Sequence, residues 1–207
     1  MPAWWPLGAK LLAEGRLQRA PDFTGARLNS FASVVLRHGL PGLLLGLALL
    51  SVPALRDGLW LGLEAAAAKP LSYAAALAAV LVGASVYAGF SERSWQPRQL
   101  VWILYLGALS AWEEWVFRLA LPQSFEMLGM GGWSAILLAN AFFGALHYFS
   151  LRWKWTWCFA AFLGGLALSR HYAHEADFLA LVAFHWIGTF INTPKAPGGG
   201  AQEEAPE

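Results

Sequence analysis

Apolar runs long enough to cross a bilayer recur along this chain, separated by short polar breaks, and they predict helices in a membrane. A bilayer core takes about 20 mostly apolar helical residues, within a range of about 17–25. Gly39–Leu55 runs without charge between His38 and Arg56. Pro70–Phe90 is a second such run, and Leu100–Leu121 is a third once its internal charges are tolerated. Trp133–Ser150 is a fourth, preceded by the breaker run Gly129-Met-Gly-Gly132. Trp155–Ser169 and Phe178–Asn192 make a short fifth and sixth, the last closed by Thr193-Pro194. Leu59–Ala68 carries Glu64 and is expected as a re-entrant or surface helix, not a span.

Composition agrees. Of 207 residues, 57% are hydrophobic and 13% charged, where soluble domains carry roughly 25% charged residues. The twelve tryptophans suit the membrane–water interface, where amphipathic rings sit well. A net charge of +1 offers no basic field for nucleic acid. The single cysteine, Cys158, has no disulfide partner and reads as a structural core residue. Met1–Ala20 lacks a cleavable-leader pattern, and its Lys10, Arg16 and Arg19 among tryptophans and leucines suggest a helix lying on the membrane surface.

Basic residues set orientation. With the N-terminus inside, the inner segments hold Lys10, Arg16, Arg19, Arg27, Arg37, Arg93, Arg98, Arg152, Lys154 and Lys195, and the outer ones only Arg56, Lys69 and Arg170. The expected fold is therefore an all-α polytopic membrane bundle of about six transmembrane helices with both termini cytoplasmic, integral to a bacterial inner membrane. Residues 1–38 form an interfacial segment, 39–193 the membrane core and 194–207 a disordered tail.

The third span holds charges that lipid would reject: Ala111-Trp-Glu113-Glu114-Trp-Val-Phe-Arg118. One charge near mid-bilayer costs about 2.5–3.5 kcal/mol on insertion scales, so these must face the bundle interior or a wet cavity. Glu114 and Arg118, at i and i+4 with the acid first, have the favoured spacing for a helical ion pair. Glu113, turned about 100° around the helix, is left as the free carboxylate. A purely structural ion network is the alternative reading of this segment.

Two of the five histidines lie inside spans, His147 in the fourth and His185 in the sixth. Imidazoles and a carboxylate from three apolar helices form a constellation able to share a water and remove its proton. His38, His171 and His174 fall at span ends or in loops; His171, His174 and Glu175 have metal-ligand types but read as a solvated loop. At 1.5 Å per residue, Glu113 lies about 12 Å from its outer span end and His147 about 21 Å. Tilt, long side chains or a misplaced boundary must close that gap.

With these residues in view, the sequence resembles the CAAX protease and bacteriocin-processing family, which includes the type II CAAX prenyl endopeptidases. That family is marked by Glu-Glu-x-x-x-Arg, then Phe-x-x-x-His, then His-x-x-x-Asn/Asp. Here these are Glu113-Glu114-Trp-Val-Phe-Arg118, Phe143-Gly-Ala-Leu-His147 and His185-Trp-Ile-Gly-Thr189, with Phe162-Leu-Gly-Gly165 before the last. The resemblance implies an intramembrane protease acting on a membrane protein or peptide. It makes Glu113 the general base on the attacking water, His147 its partner on that water and His185 a stabiliser of the oxyanion. Glu114, Arg118, Phe143 and Asn140 would support them. No cofactor is required, though Glu113, His147 and His185 could hold zinc with one position open. Thr189 stands where the family has Asn or Asp. Its hydroxyl could serve the oxyanion, as could Asn192 one turn further on. The departure keeps open a non-catalytic, binding role for the scaffold, and acids with histidines in a membrane also build proton-coupled transporters.

Overall fold

The computed structural model describes residues 30–92 and 96–197, and among these it forms helices and no strands. The helices are α1 (Phe31–Leu50), α2 (Pro53–Ala68), α3 (Pro70–Glu92), α4 (Pro97–Met127), α5 (Gly132–Leu151), α6 (Trp155–Glu175) and α7 (Phe178–Asn192). Four of them (α1, α3, α4 and α5) are long and apolar enough to cross a membrane. α7 is shorter but equally apolar, and α6 has the length but carries Arg170, His171, His174 and Glu175 in its last turns. The expected surface segment Met1–Ala20 and most of the expected tail lie outside the described residues. Pro194 and Ala196, assigned above to that tail, are held instead: Gln99 donates to the Pro194 carbonyl at 2.6 Å and accepts from the Ala196 amide at 3.1 Å.

The bundle is inverted relative to a soluble one. Leu71, Val82, Val86 and Phe90 on α3, Trp133, Phe142 and Phe149 on α5, and Phe159 and Leu163 on α6 are exposed. Glu113, Glu114, Arg118, Asn140 and His147 are buried. Such an apolar exterior suits hydrocarbon and not water, and polar groups inside a membrane face the protein interior. The protein is an integral membrane protein of the polytopic helical class.

α4 is the axis. Its N-terminal half packs against α3 and α7, and its C-terminal half against α1, α2, α5 and α6. Trp102, Ile103 and Leu106 belong to one apolar cluster with Val34, Trp186 and Phe190. Trp115–Phe117, Leu119 and Ala120 belong to another with Leu55, Phe143 and Phe178. The two glutamates fall on α4 between these clusters. At Gly46 a side-chain carbon would lie 2.5 Å from the Trp112 ring, so glycine there lets α1 meet α4.

Two boundaries differ from expectation for one reason. α4 was expected to stop at Leu121, before Pro122, yet it runs on to Met127. Proline removes one hydrogen bond and its ring clashes with the preceding turn. Here that turn is a π-helical segment, Trp115–Ala120, and the Leu121 amide reaches back to the Val116 carbonyl. The wider turn carries the helix through the proline. α1 repeats the device: Val35–Gly39 is π-helical just before Pro41, and the helix begins at Phe31, N-capped by Ser30, not at Gly39. With α4 extended, Glu113 and His147 each stand about 21–22 Å from the corresponding helix end at 1.5 Å per residue, and the depth mismatch vanishes. α1 also stops earlier than expected, and α2 takes up Pro53–Ala68.

Candidate active site

Glu114 is fully buried and makes two ionic contacts. Its Oε2 lies 3.2 Å from Arg118 Nε, the i, i+4 pair expected from spacing, and its Oε1 lies 2.6 Å from His185 Nδ1 on α7. Arg118 is stacked as well, with its guanidinium carbon 4.2 Å above the Phe143 ring centroid. The carboxylate and the aromatic face offset part of the cost of burying this charge, while its three guanidinium nitrogens stay buried without a hydrogen-bond partner. Room for it comes from α6, where a side-chain carbon on Gly165 would meet Asn140 Oδ1 at 2.2 Å and Arg118 at 3.1 Å. Asn140 is itself fixed by donating to the Ile136 carbonyl and to Ser169.

α5 presents one polar-bearing face, because Asn140, Phe143, Gly144, His147 and Ser150 recur at helical spacing and all are buried. His147 is held by its Nδ1, 2.7 Å from the Phe143 carbonyl, which aims Nε2 away from its own helix. Phe143 lies edge-on to both catalytic candidates, with ring centroids 4.7 Å from His147 and 5.7 Å from His185. α5 ends with Arg152 in the left-handed conformation at φ 59°, and this turn lays Trp153 over His147 at a centroid distance of 4.3 Å. The motif Phe-x-x-x-His is thus a platform and an imidazole on one face, one turn apart.

α7 brings His185 between the two acids. Beyond its short contact with Glu114, its Nε2 lies 3.4 Å from Glu113 Oε2. Thr189 and Asn192 line the same cavity and are half-buried. Asn192 already donates to the Gly188 carbonyl at 2.8 Å. The Thr189 carbonyl accepts from Thr193, and its side chain stands in the cavity wall.

Glu113 is not the free carboxylate the sequence suggests. His38, read as a span-end residue, is buried on α1 and sets its Nε2 2.8 Å from Glu113 Oε1. Its Nδ1 lies 2.8 Å from Ser150 Oγ. The signal for His38 was its i+3 placement from Val35 in a run that continues apolar after Arg37; treating that charge as a boundary hid it. Arg37 is exposed, so the helix carries it on its outer face.

The donors closest to a metal-binding set are therefore His38, Glu113 and His147, with ligand atoms within 4.8 Å of one another, and not the expected Glu113, His147 and His185. Zinc–nitrogen bonds of about 2.0–2.1 Å in a tetrahedron separate two ligand atoms by about 3.3 Å. The 2.8 Å contact of His38 with Glu113 is closer than that and has the length of a hydrogen bond. His171, His174 and Glu175, expected in a solvated loop after Ser169, lie instead in the last turns of α6, which runs on to Glu175, and form no such set among the described residues.

His38, Glu113, Arg118, Phe143, His147, His185, Thr189 and Asn192 line one cavity of about 910 Å³. Glu113, His38, His147 and His185 form its polar floor; Trp153, Trp157, Leu168 and Phe184 make apolar walls, and Pro194 and Lys195 stand at its rim. Apolar walls around a few convergent polar groups are the usual character of a small-ligand or peptide site.

Fold and site define a polytopic membrane protein with a buried acid–histidine centre. The family model for "Type II CAAX prenyl endopeptidase Rce1-like" matches residues 93–191, the stretch that contains all three motifs. This segment is just under half of the chain, and its match supports assignment to the CAAX protease and bacteriocin-processing family, whose members act on membrane-associated proteins. No curated protein and no solved structure matches it.

Proposed function

We propose that the chain is a glutamate-dependent intramembrane endopeptidase, hydrolysing a peptide bond in a membrane-associated protein or peptide. One observation carries this reading: Glu113, His147 and His185, from three different helices, meet at the floor of one cavity. Glu113 Oε2 faces that cavity and takes a proton from water, and the hydroxide so formed attacks the scissile carbonyl carbon. His147, whose orientation its Nδ1 contact with the Phe143 carbonyl fixes, has a ring nitrogen within 4.8 Å of the Glu113 carboxylate. A single water bridges groups at that separation. His185 Nε2 and the Thr189 hydroxyl are the donors for the oxyanion. The tetrahedral intermediate collapses with cleavage of the C–N bond, and the departing amine takes the proton held on Glu113. Glu114, Arg118 and Phe143 keep His185 and the π-turn in register.

The chain's working membrane, on this reading, is a bacterial inner membrane with both termini in the cytoplasm. The test is cleavage of an internally quenched, farnesylated CAAX peptide by purified wild type, Glu113→Ala and His147→Ala proteins. Both variants should be inactive; undiminished cleavage by both would end this reading. Thr189 favours one second reading, a family scaffold that binds without cutting. Full cellular function from a folded Glu113→Gln protein would mark that case.

A further inference from the structure

Glu113 has a partner that none of the three motifs contains. We infer that His38 is a positioning residue of the same site: it fixes Glu113 Oε1 and leaves Oε2 as the oxygen that accepts the proton from water. This inference rests on the protease reading above.

The proton positions follow from hydrogen-bond accounting. Ser150 Oγ lies 2.6 Å from the Leu146 carbonyl. A carbonyl only accepts, so the single hydroxyl hydrogen is spent there. Ser150 Oγ is also 2.8 Å from His38 Nδ1, and toward that nitrogen it can only accept. His38 therefore carries a proton on Nδ1. Its Nε2 then meets Glu113 Oε1 at 2.8 Å as a close ion pair and not an aligned hydrogen bond, an approach that requires a proton on one of the two atoms. With Glu113 ionised, as a base must be, His38 is protonated on both nitrogens, Nδ1 donating to Ser150 and Nε2 facing Oε1 as an ion pair. His185 can donate from Nδ1 to Glu114 in either of its charge states.

The fold builds this contact deliberately. His38 lies within the π-turn Val35–Gly39, which re-aims side chains relative to a regular helix. Gly39, beside it, packs against the Tyr105 ring, so α1 closes onto α4 at this level. The His38 ring also stands 5.3 Å from that of His147. A relay from the Leu146 carbonyl through Ser150 and His38 to Glu113 thereby joins α5, α1 and α4. It holds the base by one oxygen, as an orienting partner should.

The test uses the full chain in detergent micelles with the farnesylated CAAX peptide. His38→Ala should lower kcat about 10–100-fold, the range for partners that orient an active-site group, with KM changed less than about two-fold. His38→Gln, which can still donate one N–H to Glu113, should recover most of that loss. Ser150→Ala should lower kcat in wild type and add little in the His38→Ala background, since the two act in one chain. A His38→Ala kcat within about two-fold of wild type, or a Gln variant no better than Ala at equal stability, would overturn the inference. Cleavage surviving in Glu113→Gln would instead overturn the assignment of Glu113 as the base, on which the proposed function rests. An arm independent of turnover is the ¹⁵N spectrum of the histidine rings. The His38 signals should show two protonated nitrogens and move in both Ser150→Ala and Glu113→Gln, while those of His174 stay fixed. Indifference of His38 to both substitutions would also overturn it.

Discussion

Glu114 holds His185 and Arg118 simultaneously, one through each carboxylate oxygen, at 2.6 and 3.2 Å. The second acid of the pair is thus the joint between α4 and α7, and it leaves Glu113 turned toward the cavity.

Breaking that joint on one side should be costly. Glu114→Gln leaves Arg118 buried without a counter-charge, and removing one partner of a buried pair costs about 3–5 kcal/mol. Unfolding in mild detergent should show a loss of that order for Glu114→Gln or Arg118→Met. The double variant should lose less than the sum, because neither buried charge remains.

Gly165→Ala tests the close approach of α6. Its added carbon would sit 2.2 Å from Asn140 Oδ1, so Asn140 and Arg118 must shift. Overpacking of this kind costs about 1–3 kcal/mol, and activity should fall with stability. Gly83→Ala on α3 meets nothing within 4 Å and should be neutral or stabilising by up to about 1 kcal/mol. Melting temperatures of the two variants side by side check the contrast.

Thr189 is the departure from the family pattern. If its hydroxyl serves the oxyanion, Thr189→Val should lower kcat by about 10²–10³, the usual loss for one such donor. Thr189→Asn should retain activity. Asn192→Ala should matter less, since its amide is already engaged with Gly188. Steady-state kinetics on the three variants rank the donors.

A base that works through hydrogen bonds keeps working without metal. Dialysis against a chelator should leave cleavage of the prenylated peptide unchanged. Loss of activity restored by zinc would make His38, Glu113 and His147 metal ligands, contrary to the direct 2.8 Å pairing of His38 with Glu113.

Much of this was legible in the sequence, because a membrane makes polar residues conspicuous. Glu113, Glu114, Arg118, His147 and His185 stood out as charges and imidazoles in apolar helices, and all of them meet at one level of the bundle. What the sequence hid lay at helix boundaries. Pro122 reads as a stop signal, and nothing local reveals that a π-turn will carry α4 past it. Arg37 reads as the edge of a span, although an exposed arginine can ride on the outside of a helix that began earlier. That misreading removed His38 from the site and made Glu113 look unpaired. Contacts such as Asn140 with Gly165 join separate helices, and only the packed bundle shows why those residues are small or polar.

The most direct measurement is kcat of purified, folded Glu113→Gln protein on the prenylated peptide, compared with wild type. General-base catalysis by a positioned side chain is worth about 10²–10⁴-fold. A fall of at least that size at unchanged stability is the expected result; a kcat within about three-fold of wild type would contradict the assignment of Glu113 as the base.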